Sequence, residues 1–457
     1  MNLKTSLLPH QIAAVEKLSK IKIGALYMEM GTGKTRTALE LINQRLQAGK
    51  AEFVLWLCPC SVKGTIQAEI SKHASYFDNL RIEGIESLSS SVRLNSDLLQ
   101  LVQSKKVYLI VDESNLVKNH RAQRSVNIER LAENCQYKLI LNGTPISRCE
   151  KDLFMQWYIL DWRILGYQSF WSFAANHLEY DERIPGRISR CLNVDYLVRK
   201  IAPYTYQVKK EECLTLPDKQ YYTAYCSMTD DQYEHYNTVK DTFLMNVDEL
   251  KPSTIYRLFT ALQHVLSGNR VVSKYSESIS IEPMFENTLD NPRIQTLLEE
   301  LGNSKTIIWC KYTSEIKQIA KVITDEHGPD LCVEFYGEVN KKQRQRAIEH
   351  FTDKAKFFIA NKTCAGYGLN LQFCNNVIYY SKDWDYATRA QSEDRVHRLG
   401  QDADVHITDI SCSGTLDSRI LKCLLRKERL VDSFKAEIER NKNKNDLRRW
   451  IDGSEDT

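Results

Sequence analysis

Short apolar runs alternate with amphipathic stretches in two separate parts of the chain. The first part has four runs of buried-strand length, Ile23–Met28, Phe53–Leu57, Val107–Val111 and Leu139–Leu141. The second part has five, Thr306–Trp309, Leu331–Phe335, Phe357–Ala360, Val377–Tyr380 and Val405–Ile410. Apolar strands separated by helical patterns are typical of a parallel sheet with helices on both faces. We therefore predict an α/β fold with two parallel-sheet lobes.

The stretches between these runs have helical patterns. Residues 150–200 carry aromatic side chains at helix-like spacing and no clear strand, which predicts a helical insertion with an aromatic core. Among these side chains are Phe154, Trp157, Tyr158, Trp162, Phe170, Trp171 and Phe173. A second helical insertion is expected over about 229–290, its later part, from 271, being polar and loop-like. The predicted domains are thus a first lobe over 1–228 and a second lobe over 229–457.

Composition is that of an ordinary soluble globular protein, with 42% hydrophobic and 26% charged residues. The chain has no apolar run of membrane-spanning length, and its first residues lack the apolar core of a signal peptide. Thirteen cysteines without a CxxC pair favour a reducing compartment. We expect a monomer, without membrane contact, in the cytoplasm of a bacterium or phage-infected cell, or in the nucleus if the source is eukaryotic.

Positive charge is concentrated near the end of the chain. From Arg419 to Arg449 there are eleven basic and five acidic residues, within a segment of about 416–450 that is predicted to be helical. Such a run forms either a solvated helical face or a surface for nucleic-acid phosphates. The sequence leaves both interpretations open.

Residues 23–35 have the order strand, glycine turn and helix. Gly31 and Gly33 are followed by Lys34 and Thr35, and then by a helical pattern. Glycines let backbone N–H groups surround an oxyanion, and the lysine neutralises terminal phosphates. Met28 stands where the general pattern has its first glycine. We predict that this loop binds ATP and that Thr35 holds Mg²⁺.

Two further groups of charged residues suit phosphate chemistry. Asp112 and Glu113 follow the buried run 107–111, where a phosphate-loop ATPase places a Mg²⁺ ligand and the acid that orients water. Gln391, Arg395 and Arg398 are spaced i, i+4 and i+7, which would align them on one stripe of a helix. Two guanidinium groups there would stabilise a developing phosphate charge.

Sequence blocks throughout the chain resemble, in order, the motifs of SWI/SNF-type ATPases of helicase superfamily two. The blocks include LLPHQ (7–11), MEMGTGKT (28–35), LCPCSV (57–62), VDESNLVKN (111–119), LNGTPI (141–146), LPDKQ with MTDDQYEHY (within 216–236), TIIWCKYTSEI (306–316), FYGEVNKKQRQRAIEHF (335–351), CAGYGLNLQFCNNVIYYSKDW (364–384) and QSEDRVHRLGQ (391–401). The compact size resembles the bacterial and phage forms of the family. The resemblance implies two RecA-like lobes, each with a helical insertion.

The resemblance also assigns roles to individual residues. Catalysis would fall to Lys34, Glu113, Arg395 and Arg398. Nucleotide binding would involve Gln11, Gly31, Thr32, Gly33, Lys34, Thr35, Asp112, Gly368 and Gln391, with Thr35 and Asp112 as the Mg²⁺ ligands. DNA contact, or its coupling to the ATP site, would involve Ser61, Asn115, Asn142, Gly143, Thr144 and Trp384.

Some positions depart from the family pattern. Ser114 and Asn115 replace the usual Ala-His, Asn142 replaces a hydroxyl residue, and Asp385-Tyr386 replaces Asn-Pro. One amide can both donate to and accept from another. We therefore hypothesise an amide–amide bridge between Asn115 and Asn142, the alternative being two independent exposed asparagines.

The implied function is DNA-stimulated ATP hydrolysis that drives translocation on duplex DNA in replication, recombination or repair. The expected substrates are duplex or branched DNA without sequence preference, and replication or recombination proteins are candidate partners. A strand-separating or branch-remodelling helicase is one alternative. A nucleotide-gated DNA-binding scaffold without motor activity is the other.

Overall fold

The structure divides the chain into two compact units, Met1–Thr215 and Leu216–Thr457. It is a computed structural model that describes residues 1–75, 77–143, 149–181, 188–245, 252–273, 279–362, 369–427, 430–440 and 444–453. No helix within these ranges is both long enough and apolar enough to cross a membrane.

The first unit is built around a six-stranded parallel sheet. The strands described in the whole unit are β1 (Ile23–Met28), β2 (Phe53–Cys58), β3 (Leu80–Gly84), β4 (Val107–Asp112), β5 (Tyr137–Asn142), β6 (Leu178–Tyr180), β7 (Ile188–Cys191) and β8 (Thr205–Val208). The sheet has the order β3-β2-β4-β5-β1-β8, and β6 and β7 form a separate antiparallel pair. Every residue of β4 is buried, as expected for a strand covered on both faces.

Nine helices belong to the described part of the first unit. They are α1 (Pro9–Leu18), α2 (Lys34–Gln47), α3 (Lys63–His73), α4 (Val92–Ser104), α5 (Gln123–Ala132), α6 (Lys151–Leu165), α7 (Phe170–His177), α8 (Val194–Ile201) and α9 (Lys210–Cys213). The helices α6 to α8 fill the region of the predicted insertion, and the β6–β7 pair within it was not predicted. Its aromatic side chains are mainly core: Phe154, Trp157 and Phe173 are buried, whereas Trp171 is exposed.

The second unit contains another six-stranded parallel sheet. The strands described in the whole unit are β9 (Lys219–Cys226), β10 (Asn269–Ser273), β11 (Ser280–Pro283), β12 (Thr306–Cys310), β13 (Cys332–Phe335), β14 (Phe357–Asn361), β15 (Asn376–Tyr379) and β16 (Val405–Cys412). The sheet has the order β13-β14-β12-β15-β16-β9, and β10 pairs with β11 in a separate antiparallel ribbon. Two parallel sheets covered by helices confirm the predicted fold class.

The helices of the second unit, again within the described residues, follow the same alternation. They are α10 (Asp230–Leu244), α11 (Pro252–Leu266), α12 (Pro292–Glu300), α13 (Thr313–His327), α14 (Lys341–Asp353), α15 (Tyr386–Glu393), α16 (Leu416–Leu425), α17 (Leu430–Arg440) and α18 (Lys444–Asp452). The helices α10 and α11 occupy the predicted second insertion. The polar stretch expected to be loop-like from residue 271 instead includes the end of β10 and all of β11.

The boundary between the units lies earlier in the chain than the predicted boundary at residue 228. The strand β9, which the prediction placed in the first lobe, pairs with β16 over its full length, from Lys219 with Val405 to Cys226 with Cys412. Eight residues of parallel pairing make β9 part of the second sheet. The domain prediction is corrected accordingly, to a first unit ending at Thr215.

The basic C-terminal segment is part of the second unit's core. Phe434, Leu447 and Ile451 in its helices are fully buried. Arg419 is also buried, and its Nε donates to the carbonyl oxygen of Trp450 over 2.6 Å. A side chain held in this way cannot face solvent, so the run of charge is not one uniform surface.

Candidate functional site

The loop of residues 29–33 between β1 and α2 is the one predicted to bind phosphate, and it is called the phosphate loop. Gly31 and Gly33 have φ angles of 83° and 85°, a left-handed conformation that favours glycine. Lys34 is the first residue of α2, and its Nζ donates to the carbonyl oxygen of Met28 over 2.7 Å. The ammonium group is therefore held across the loop, at the N-terminus of a 14-residue helix. Thr35 follows in the same turn of α2 and is half-buried.

Gln11 fastens helix α1 to this loop. Its Nε2 donates to the carbonyl oxygen of Thr32 over 3.1 Å, and its Oε1 accepts from the backbone N–H of Leu8 over 3.0 Å. A Cβ atom on Gly33 would lie only 2.2 Å from Nε2 of Gln11. The glycine is thus required both by its φ angle and by the close approach of this glutamine.

The acidic pair lies at the end of β4. Asp112 is buried, and Glu113 adopts a left-handed backbone conformation with φ 50° and ψ 55°. The N–H of Glu113 donates to Oδ1 of Asp112 over 3.0 Å. Burial, with the neighbouring Glu113 carboxylate adding to it, raises the pKa of Asp112 to about 7, although the Lys34 ammonium acts in the opposite direction.

The sheet order brings the predicted first-unit residues together. Strands β4, β5 and β1 are adjacent, so their carboxyl ends meet at one edge of the sheet. Gly143 follows β5, and a Cβ atom placed on it would lie 3.6 Å from Nζ of Lys34. Lys34 and Asp112 also interact electrostatically. The resulting cluster combines a cation, two carboxylates and a helix N-terminus, which is suited to binding and hydrolysing a phosphate chain.

The hypothesised bridge between Asn115 and Asn142 is wrong. Nδ2 of Asn142 donates instead to Oγ of Ser114 over 3.3 Å. The Ser114 hydroxyl in turn donates to Oε1 of Gln156 over 2.6 Å. Because a tight turn begins at Ser114, directly after Glu113, it is Ser114 that faces β5. Oδ1 of Asn115 is buried with no hydrogen-bond partner among the described residues.

The stripe predicted for Gln391, Arg395 and Arg398 does not form on one helix. Helix α15 carries Gln391 but ends at Glu393, and Arg395 N–H donates to the carbonyl oxygen of Ser392, a tighter turn than an α-helix makes. Arg395 is buried, and Arg398 donates to Oδ1 of Asn370. Both arginines lie in the turns that follow the helix.

Models of two known domains match the chain. The SNF2-related domain matches residues 81–277, and the helicase conserved C-terminal domain matches residues 291–400. The chain carries an SNF2-related domain followed by a helicase conserved C-terminal domain. The resemblance to SWI/SNF-type ATPases is thereby confirmed.

Similar proteins include two described as uncharacterized ATP-dependent helicases. MG018 of Mycoplasma genitalium is 23% identical over 427 residues, which cover 89% of this chain and 40% of MG018. YqhH of Bacillus subtilis is 23% identical over 470 residues, which cover 94% of this chain and 80% of YqhH. The chain thus spans less than half of the length of MG018. A Sulfolobus solfataricus SWI2/SNF2 ATPase core in complex with dsDNA aligns over 98% of both chains at 23% identity, with a TM-score of 0.41.

Trp384 lies within the residues that match the helicase conserved C-terminal domain, and its indole ring contacts two side chains of the second unit. Its Nε1 donates to Oε1 of Gln263 over 2.9 Å, and Nζ of Lys311 lies 3.1 Å from its ring centroid. Lys311 donates to the same Gln263 oxygen over 2.8 Å. Sequence reasoning missed Gln263, since no motif marks it. A DNA contact by Trp384 stays a prediction.

The remaining predicted residues of this SNF2-related chain are placed as follows. Ser61 is exposed in the turn after β2. Thr144 and Gly368 lie outside the described residues. Sequence reasoning also missed Gln156 and Arg389, the latter a buried side chain bonded to both carboxylate oxygens of Asp409 over 2.7 and 2.9 Å. Arg389 also pairs with Glu393 at i+4, but Asp409, and the Ser114 partner of Gln156, are distant in sequence, so no local pattern could have identified those contacts.

Proposed function

We propose that this protein is a DNA-stimulated ATPase that translocates on duplex DNA in replication, recombination or repair. The observation that carries the proposal is the placement of Lys34, Asp112 and Gly143 at one edge of the first sheet. Both domain matches, and the description of MG018 and YqhH as ATP-dependent helicases, support ATP use.

Each residue of this cluster has a defined role in the proposal. Lys34 binds the terminal phosphates, together with the N–H groups at the start of α2. Glu113 orients the attacking water and accepts its proton. Its left-handed backbone follows directly from a fully buried strand, which sets the direction of its side chain. Arg395 and Arg398 are also proposed as catalytic residues, whose guanidinium groups would stabilise charge in the transition state.

The proposed metal ligands fit Mg²⁺. Carboxylate and hydroxyl oxygens are the donors this ion prefers, and it is commonly bound by one or two protein ligands plus substrate phosphates. Asp112 is a buried carboxylate whose pKa is raised by burial and by the Glu113 carboxylate more than Lys34 lowers it, and a bound cation would favour its charged form. Asp112 and Thr35 would hold the ion, and Mg²⁺ would neutralise phosphate charge during hydrolysis.

We further propose that DNA is bound through its phosphates. Exposed residues such as Ser61 would contact the backbone of a duplex, while Arg426 and Lys427 add positive charge on the second unit. Contacts of this type carry no sequence information and weaken steeply with salt. We therefore expect affinity for duplex DNA of any sequence.

The proposal is tested by measuring ATP turnover without DNA and with single-stranded, duplex and forked DNA. Duplex DNA should stimulate turnover most, and Lys34→Ala should abolish it in every condition. Displacement of a third strand from a triplex without unwinding of a fork would establish duplex translocation. Fork unwinding would establish the strand-separating alternative. Absence of ATP turnover under all four conditions would overturn the proposal.

A further inference from the structure

A buried polar network connects three segments beside the acidic pair. Ser114 directly follows Glu113, Asn142 ends β5, and Gln156 lies on helix α6. All three side chains are fully buried. The bonds run from Asn142 Nδ2 to Ser114 Oγ over 3.3 Å, and from Ser114 Oγ to Gln156 Oε1 over 2.6 Å.

The orientation of Gln156 is set by its own helix. Its Nε2 donates to the carbonyl oxygen of Asp152 over 2.7 Å, which directs Oε1 toward Ser114. Asp152 in turn forms an ion pair with Lys118 over 3.2 Å, and Lys118 follows the turn that begins at Ser114. Helix α6 therefore holds this turn at two points, one a short buried hydrogen bond and the other a partly buried ion pair.

Two members of the network, Ser114 and Asn142, adjoin residues of the proposed ATP site. Ser114 directly follows Glu113 in the chain, and the backbone of Glu113 is in a left-handed conformation that few non-glycine residues adopt. Asn142 directly precedes Gly143 in the chain, and Gly143 lies beside Nζ of Lys34. A strained backbone of this kind persists only when surrounding contacts enforce it. The hydrogen bond that the Ser114 hydroxyl donates to Gln156 is such a contact, and Ser114 is the residue next to the strained Glu113.

We propose that Gln156 is a positioning residue for Glu113. By accepting the Ser114 hydroxyl, it keeps Glu113 aligned for water activation and links the position of α6 to the ATP site. This inference rests on the proposed ATPase function. It assigns to the helical insertion a part in setting the rate of hydrolysis, and it gives the departures at Ser114 and Asn142 a shared physical purpose.

The test compares three variants with the wild-type protein. Gln156→Leu removes the acceptor of the Ser114–Gln156 hydrogen bond while nearly conserving side-chain volume, and Ser114→Ala removes its donor hydroxyl. The double variant replaces both partners of this hydrogen bond with apolar side chains. Met155→Leu is the control, since it changes a buried neighbour on α6 without touching the network. For each protein, kcat, KM for ATP and the thermal unfolding temperature are measured.

We expect Gln156→Leu to lower kcat by roughly tenfold or more, because small displacements of a catalytic group are costly in rate. KM should stay within about twofold, since phosphate binding is left intact. The double variant leaves no Ser114 hydroxyl unpaired but also removes the acceptor of Asn142 Nδ2, so its unfolding temperature should stay close to that of Gln156→Leu, and its kcat should stay low. Met155→Leu should match the wild type.

The outcomes separate this inference from the proposed function. Wild-type kcat in Gln156→Leu, or recovery of kcat together with stability in the double variant, would show a purely structural role and overturn the inference alone. If Gln156→Leu does not fold, the kcat of Ser114→Ala decides by the same criterion. A wild-type protein without turnover, indistinguishable from Lys34→Ala, would overturn both.

Discussion

Gln11 donates its side-chain amide to the backbone carbonyl of Thr32 over 3.1 Å, which ties the first helix to the phosphate loop. Because Oε1 of the same side chain accepts from Leu8, the amide is held at both ends. An amide has a second hydrogen on nitrogen and a second lone pair on oxygen, so the Gln11 side chain keeps one donor and one acceptor site for a nucleotide. Gln11 thus supports the shape of the loop.

We predict that Gln11→Ala raises KM for ATP by about fivefold, equivalent to about 1 kcal/mol for one neutral hydrogen bond. The value of kcat should change less, because the acidic pair is untouched. Steady-state kinetics check this. Gln47→Ala, an exposed glutamine at the end of α2, is the control. An unchanged KM in Gln11→Ala would contradict a role in loop support.

Lys34 and Glu113 should separate binding from hydrolysis. Glu113→Gln should lower kcat by roughly 10²-fold or more while ATP binding persists, since its carboxylate acts on water. Lys34→Ala should lose both, because the ammonium contacts phosphate in the ground state as well. Fluorescent-nucleotide titration and turnover assays measure the two properties. Near wild-type hydrolysis by Glu113→Gln would refute its assignment.

Arg395→Ala and Arg398→Ala should each lower kcat by roughly 10²-fold, with nucleotide affinity little changed, if both stabilise transition-state charge. Arg346→Ala on α14, which removes an exposed arginine from the same unit, serves as the control. Unfolding temperatures are required alongside, because Arg395 is buried. Weaker ATP binding at unchanged kcat would exclude the role for that arginine.

The basic C-terminal segment should be tested by substitution. Deleting 419–449 would remove buried residues such as Phe434 and Leu447 and disrupt the second unit. Arg426 and Lys427 are exposed, so Arg426→Gln with Lys427→Gln should weaken duplex binding and flatten its salt dependence by about one unit of slope per lost phosphate contact. Salt titrations of affinity check this. Unchanged affinity and slope would identify a solvated face.

Asp417 should make stability depend on pH. Burial alone would raise its pKa, but Arg293 at 2.7 Å and Lys382 at 3.9 Å outweigh it and lower the pKa below its ordinary value. The stabilisation is therefore present above the ordinary aspartate pKa of about 4 and is lost as pH falls through the lower folded-state value.

Asp417→Asn should destabilise the protein by about 3–5 kcal/mol at pH 7, because Arg293 is left buried and uncompensated. The difference from wild type should shrink at low pH, where Asp417 itself becomes protonated. Urea denaturation at both pH values measures this. Asp231→Asn, which breaks an exposed pair with Arg270, should cost only about 0–1 kcal/mol. A difference independent of pH would contradict the assignment.

The sequence alone determined the fold class and identified the main residues of the proposed nucleotide site. Strands covered on both faces must be apolar along their length, so the apolar runs within β1, β2, β4 and β5 could be recognised as strands from the sequence. The phosphate loop was equally visible, because Gly31, Gly33 and Lys34 act through the local backbone of consecutive residues. Asp112 and Glu113 were recognisable from their position directly after a buried strand.

Only the tertiary structure decided features that depend on distant partners or on local chain direction. The edge strand β9 has mostly exposed or half-buried residues, so it lacks an apolar run, and pairing with β16 alone reveals its unit. A turn after Glu393 removed Arg395 and Arg398 from the predicted helix. Gln156 meets Ser114 across 42 residues because the fold packs α6 beside the end of β4. A hydrogen bond of such separation leaves no periodic trace in a single sequence.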